Sequence, residues 1–147
     1  MDDNSESVMI ALLPISSEWC RIELPHLTLV YAGKKEDLPP GAFNELAKDA
    51  SMLAMLTTPL TLRVIGTEVF GGRGYDDKVD VLRFQSTPEL LAMRRTVERW
   101  NASEFEFKPH ATIGPTGTFI ETPRFVAFNR IMVGWGKENL TFSLKYN

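Results

Sequence analysis

A chain of 147 residues with 44% hydrophobic and 24% charged residues has the size and make-up of one globular domain, and not those of a chain disordered throughout. Its 16 basic against 19 acidic residues leave a net charge of −3, which argues against a broad surface for long nucleic acid but leaves room for a small anion in a local pocket. The single cysteine, Cys20, excludes an intrachain disulfide, and two histidines without a Cys-x-x-Cys fall short of a conventional zinc ligand set.

Residues 1–7 are acidic and polar and read as a flexible tail, with a single domain over 8–147. The tail lacks the positive charge of a signal peptide. Val8 to Leu13 is apolar but far short of the ~20 residues a membrane helix needs. The expectation is a cytoplasmic protein with no membrane attachment and no obligate protein partner. Val8–Leu13, ended by Pro14, reads as a buried strand, and Leu24–Tyr31 as a second. After the loop Leu38-Pro39-Pro40-Gly41, Phe43, Leu46, Ala47, Ala50 and Leu53 recur at helical spacing, and Thr57-Thr58-Pro59 stops that helix. Leu60–Phe70 reads as a strand, followed by the Gly-rich segment 71–77 and an antiparallel partner, Val79–Phe84. Thr87, Pro88 and Glu89 form a helix start, and Leu90, Met93, Val97 and Trp100 form its apolar stripe. Phe105–Ile113, Phe125–Val133 and Leu140–Tyr146 complete seven strands and two helices. Leu140, Phe142, Leu144 and Tyr146 alternate with polar residues, which predicts one buried face. The order β-β-α-β-β-α-β-β-β predicts an α+β domain with mostly antiparallel sheets.

Both histidines of the chain fall in one pattern, Pro-His-apolar-Thr-apolar: Pro25-His26-Leu27-Thr28-Leu29 and Pro109-His110-Ala111-Thr112-Ile113. On a strand, residues i and i+2 share a face, so each His points the same way as its Thr. In the second copy Glu106, Lys108, His110 and Thr112 share the polar face and Phe105, Phe107, Pro109, Ala111 and Ile113 the apolar one. In the first, Leu27, Leu29 and Tyr31 are expected on the core side. Strands side by side would bring two imidazoles and two hydroxyls to one point. Two imidazoles supply a general base and a general acid near neutral pH, and two hydroxyls can bind the oxygens of a phosphate. No metal or other cofactor is required.

These residues resemble the two-histidine (2H) phosphoesterases, whose signature is a pair of His-x-Thr/Ser-x motifs about half a domain apart. Leu29-Val30-Tyr31-Ala32-Gly33, the segment Val69-Phe70-Gly71-Gly72 with Val79–Phe84, and Phe107-Lys108-Pro109-His110 resemble the surroundings of the two motifs, so the likeness runs from about Val8 to Tyr146. It implies a bilobal fold in which two mostly antiparallel sheets face each other across a cleft with helices outside. It implies metal-independent phosphodiester chemistry with His26, Thr28, His110 and Thr112 as the catalytic set, His26 as acid and His110 as base. Members include RNA 2′,3′-cyclic phosphodiesterases, 2′-5′ RNA ligases, RNA-end exonucleases and small bacteriophage enzymes that destroy cyclic nucleotide signals.

Several RNA-processing members carry an arginine soon after the second motif. Here Gly114-Pro115-Thr116-Gly117-Thr118 follows, with no basic residue before Arg124. With the acidic balance, this points to a small nucleotide, cyclic or 2′-5′/3′-5′ linked, as partner, with RNA ends as the alternative and sequestration without cleavage as a third reading. Tyr75 is the candidate base-stacking residue and Arg73 a phosphate contact in the Gly-rich segment, which is not a P-loop. Lys108 and Tyr31 complete the expected substrate contacts. Arg94, Arg95 and Arg99 read as a solvated helix face rather than a nucleic-acid patch.

Overall fold

The computed structural model describes residues 6–71, 78–118 and 120–145. Seven strands and two α-helices follow in the expected order: β1 (Ser7–Pro14), β2 (Leu27–Lys34), α1 (Ala42–Leu56), β3 (Leu60–Phe70), β4 (Val79–Phe84), α2 (Pro88–Val97), β5 (His110–Pro115), β6 (Phe125–Trp135) and β7 (Glu138–Ser143). Every strand pairing is antiparallel.

Strand β6 builds both halves. Its C-terminal part, Arg130–Trp135, lies between β7 and β1, and β1 also pairs with β2, which gives a β7-β6-β1-β2 layer. Its N-terminal part, Phe125–Phe128, pairs with β3, and β3-β4-β5 continue a second layer. The outer strands, β2 and β5, meet through one residue pair, Leu27 with Ala111. These are the two strands that carry the histidine motifs. All seven strands form one antiparallel sheet, in the order β1-β2-β5-β4-β3-β6-β7 and closed by the β1–β6 pairing, and not the two separate sheets that were expected; its two halves share β6 and meet again at that pair.

One main core unites the layers. Within it Phe84 of β4 and Phe128 of β6 meet edge to face at 5.6 Å. Helix α1 buries Leu46, Ala50 and Leu53, and α2 buries Leu90, Met93 and Val97, all against this core. Thr87 caps α2 as expected, its hydroxyl accepting from the Leu90 N–H at 3.1 Å, with Pro88 in the first turn. Trp100 lies beyond α2 in a 3₁₀ turn. No helix among the described residues is long and apolar enough to cross a membrane.

Several elements differ from expectation. β1 starts at Ser7, inside the segment expected as tail. Ser7 is buried and its carbonyl accepts the N–H of Gly136, which ties it to the β6–β7 hairpin. β2 starts at Leu27 rather than Leu24, and β5 at His110 rather than Phe105, because a proline without an N–H precedes each histidine. Residues 101–109 form a loop held by Asn101 and Ser103 side-chain hydrogen bonds. Phe105 is 73% exposed, and Phe107 is half-buried beneath the Arg94 guanidinium, 4.7 Å from its ring centre. β7 ends at Ser143, and Leu140 is 38% exposed, since β7 is an edge strand; Phe142 packs against the core and Leu144 is buried in it, while Tyr146 lies outside the described residues.

Candidate active site

The joint between β2 and β5 decides the site. Leu27 opposes Ala111, and both side chains are buried in the core. In an antiparallel pair the flanking positions then oppose each other crosswise, His26 with Thr112 and Thr28 with His110, all on the face opposite the core. The structure therefore brings the four expected catalytic residues onto one surface. All four are half-buried.

The two imidazoles are held alike. His26 Nδ1 lies 2.9 Å from the carbonyl oxygen of Leu24, and His110 Nδ1 lies 2.7 Å from that of Lys108. A carbonyl only accepts, so each Nδ1 carries the hydrogen and each Nε2 is left for chemistry. The intervening residue is proline in both copies, Pro25 and Pro109, and both are buried. A proline fixes its own φ and extends the residue before it, which carries the carbonyl two positions back to the ring. The repeated Pro-His is thus a device for fixing the tautomer.

The surroundings of the two motifs differ. Beside Thr28 the wall is apolar: Met9, Ala11, Leu13 and Met132 pack as a cluster separate from the main core. The Thr28 hydroxyl donates to Met9 Sδ at 3.7 Å, a weak acceptor that leaves it free to turn to a ligand. Beside His110 the wall is aromatic and charged. The Phe70 ring centre is 4.5 Å from that of His110. Arg83 is the cross-strand partner of His110, and its Nη1 donates to Glu68 Oε1 at 2.7 Å. Burial holds the His110 pKa below 6.5, and the Arg83 and His26 charges push the same way, against the Lys108 carbonyl contact and Glu68.

The expected substrate contacts fare unevenly. Arg73 and Tyr75 lie outside the described residues. Lys108 does not share a strand face with His110: it lies in the loop before β5 with its side chain exposed, and it serves the site through its carbonyl. Tyr31 is not on the core face. A bulge between the Ile10–Val30 and Ala11–Thr28 pairs turns both Leu29 and Val30 into the core and brings Tyr31 opposite Met9, on the side of Thr28. Arg94 Nε donates to the Leu29 carbonyl at this bulge, and Arg99 binds Asp49, so these two arginines serve the fold.

Phe70, Arg83 and Glu68 were not anticipated. The signal lay in Val79-Asp80-Val81-Leu82-Arg83-Phe84, where Leu82 and Phe84 take the core side and a charged residue sits between them on the other. Only the pairing partner, β5, gives that arginine its meaning.

The model of the 2′-5′ RNA ligase superfamily matches residues 20–122, which span both motifs. No curated protein matches the chain. Among solved structures, Usb1 of Kluyveromyces marxianus is similar over 95% of this chain and 99% of its own, with a TM-score of 0.65 at 9% identity. TT0787 of Thermus thermophilus is similar over 95% of both chains, with a TM-score of 0.59 at 15% identity. Escherichia coli LigT complexed with 3′-AMP gives a TM-score of 0.51 at 16% identity, again over 95% of both. These likenesses show the same fold. The family model, the paired His-x-Thr motifs and the mostly antiparallel α+β architecture agree: the chain belongs to the 2′-5′ RNA ligase superfamily of two-histidine phosphoesterases.

Proposed function

We propose that the protein is a phosphodiesterase that cleaves a small nucleotide, a cyclic or short 2′-5′ or 3′-5′ linked species, by general acid–base catalysis between His26 and His110. The observation that carries this reading is the crosswise arrangement of the two motifs about the Leu27–Ala111 pair, with both Nδ1 atoms tied to carbonyls. His110 is the base: its pKa is lowered, so its Nε2 is unprotonated near pH 7 and can take a proton from water or from a ribose 2′-OH. His26 then gives its Nε2 proton to the leaving ribose oxygen. Thr28 and Thr112 hold the non-bridging oxygens as charge develops on them. The two imidazoles provide both proton transfers, so the scheme requires no metal.

Small size of substrate is favoured by what the basic residues do. Arg94 and Arg99 on and after α2 are spent on the Leu29 carbonyl, Glu98 and Asp49. They do not form a track for a phosphate backbone, and the net charge is −3. Destruction of a cyclic nucleotide signal in a phage-infected cytoplasm is a role that fits such a substrate. The likeness to a fold that binds 3′-AMP in LigT also fits a nucleotide in the cleft.

The test is a cleavage panel in EDTA: 2′,3′-cyclic mononucleotides, 2′-5′ and 3′-5′ dinucleotides, cyclic di- and trinucleotides, and an RNA ending in a 2′,3′-cyclic phosphate. Turnover of a small substrate is expected. Preference for the oligonucleotide would assign RNA ends instead, and tight binding without any cleavage would make the protein a nucleotide sponge. The pH profile follows from the base. Protonation of His110 removes it, so kcat/KM falls as pH drops through the lowered pKa, and the acidic limb lies below 6.5. An acidic limb above 6.5 would remove His110 from the base role.

A further inference from the structure

Three facts taken together single out Arg83 among the arginines of the described residues. It is the cross-strand partner of His110 on β4, one strand in from the motif, so its side chain rises from the same face as the catalytic pair. Its side chain is 19% exposed, unlike a solvated surface arginine. It is under-used: of five N–H donors, one hydrogen bond to Glu68 is made among the described residues, and the buried Nε has no partner. The guanidinium also stands 5.9 Å from the Phe70 ring centre, and Phe70 in turn packs against His110.

A half-buried guanidinium beside a catalytic base is costly unless it gains something when the substrate binds. Its planar fork matches the oxygens of a phosphate. Glu68, 44% exposed, is the partly solvated member of the pair, so water can take over its side of the contact when a phosphate engages Arg83. The β1 positions beside Thr28 and His26 are Ala11 and Leu13, and Arg130, which pairs with Leu13 from β6, spends its donors on the Pro14 carbonyl and Asn129. Arg83 therefore brings a positive charge with unused donors to the His110 side of the site.

We propose that Arg83 is a phosphate-binding residue of the site beside the two threonines, held in reserve by Glu68 and passed to a non-bridging oxygen of the substrate phosphodiester when the substrate enters. This rests on the phosphodiesterase reading for its catalytic consequence, though not for the binding itself. The arrangement also orients the substrate: the phosphate sits toward β4 and β5, and the nucleoside toward Tyr31 and the methionine wall of β1 and β6.

The test uses inorganic phosphate as probe and the two histidines as reporters. The ring C–H signals of His26 and His110 are followed by NMR during phosphate titration of wild type, Arg83→Gln, Arg83→Lys and Glu68→Gln, with thermal unfolding of each. Phosphate should shift both histidines in wild type. Arg83→Gln should weaken phosphate binding about 10- to 100-fold, as expected for loss of a charged hydrogen bond. Arg83→Lys should recover part of it, and Glu68→Gln should tighten it. Arg83→Gln should also raise the His110 titration midpoint, since a repelling charge is gone. Unchanged phosphate affinity in Arg83→Gln, or no phosphate binding by wild type, overturns the proposal. So does an equal drop in thermal stability for Arg83→Gln and Glu68→Gln with binding intact, which would leave a structural ion pair. If wild type binds phosphate through Arg83 yet cuts nothing in the panel, the phosphodiesterase reading fails and the binding role stands. If Arg83→Gln cuts as wild type does, the reverse holds.

Discussion

His26→Ala and His110→Ala should each lower kcat by about 10²–10⁴ while nucleotide affinity changes little and the fold persists. Each imidazole performs one proton transfer in a single displacement, so neither step can be left out. The double variant should lose little more than the worse single one, because groups that act as a unit are not additive. The fold should tolerate both changes: the rings stand on the face away from the core, and each makes one hydrogen bond to a local carbonyl. The measurement is steady-state cleavage of whichever substrate the panel identifies, with equilibrium binding of an uncleavable analogue alongside. A substituted leaving group separates the roles. With a leaving group that needs no protonation, the loss in His26→Ala should shrink and the loss in His110→Ala should remain. If both losses shrink equally, the assignment of acid and base fails. If either variant keeps wild-type turnover, that histidine is structural.

The motifs were legible because strand alternation is a local property. A reader of the chain can place His26 with Thr28 and His110 with Thr112 on strand faces from the sequence alone. The bounds of β3 were legible too, since Leu60–Phe70 is flanked by Pro59 and Gly71, and those of β4 because Val79–Phe84 is a mostly apolar run between polar segments. Tyr31 was misplaced because one bulge reverses the face of every residue beyond it, and a bulge has no signature in a run such as Leu29-Val30. Lys108 was misplaced because Pro109 was read as part of a strand that starts only at the histidine. Leu140 was expected to be buried from its alternation, but alternation does not tell a central strand from an edge strand. Arg83 and Glu68 required the pairing of β4 with β5 and of β3 with β4, which is tertiary information. The same holds for the joint itself. Nothing in either motif states that Leu27 faces Ala111.

That joint is the basis of the second large effect. Ala111 is 1% exposed, with Leu27 opposite it on β2 and Leu82 opposite it on β4. It is the smallest buried side chain of the motif strand, at the point where the two halves meet through one pair of residues. Ala111→Leu adds three carbons there. The interior is close-packed, so the added volume must be met by a strained rotamer or by separation of β2 from β5, at a cost of about 1–3 kcal/mol. A ladder one pair deep offers little resistance to separation, whereas the β1–β6 pairing beside it runs from Val8 to Pro14. Separation moves His26 away from His110, and a shift of about 1 Å in a catalytic geometry can cost about 10²-fold in rate. The expected result is therefore a fall in kcat of about 10²-fold with a modest loss of stability, measured by cleavage and by urea unfolding. Leu53→Ala supplies the comparison. It empties a buried position on α1, away from the joint, and should lose about 2–5 kcal/mol of stability while the folded fraction keeps its kcat. If Ala111→Leu behaves like Leu53→Ala, with stability reduced and turnover intact, the distance between the two histidines is not set at this joint, and the geometry of the site must be fixed through the shared strand β6 instead.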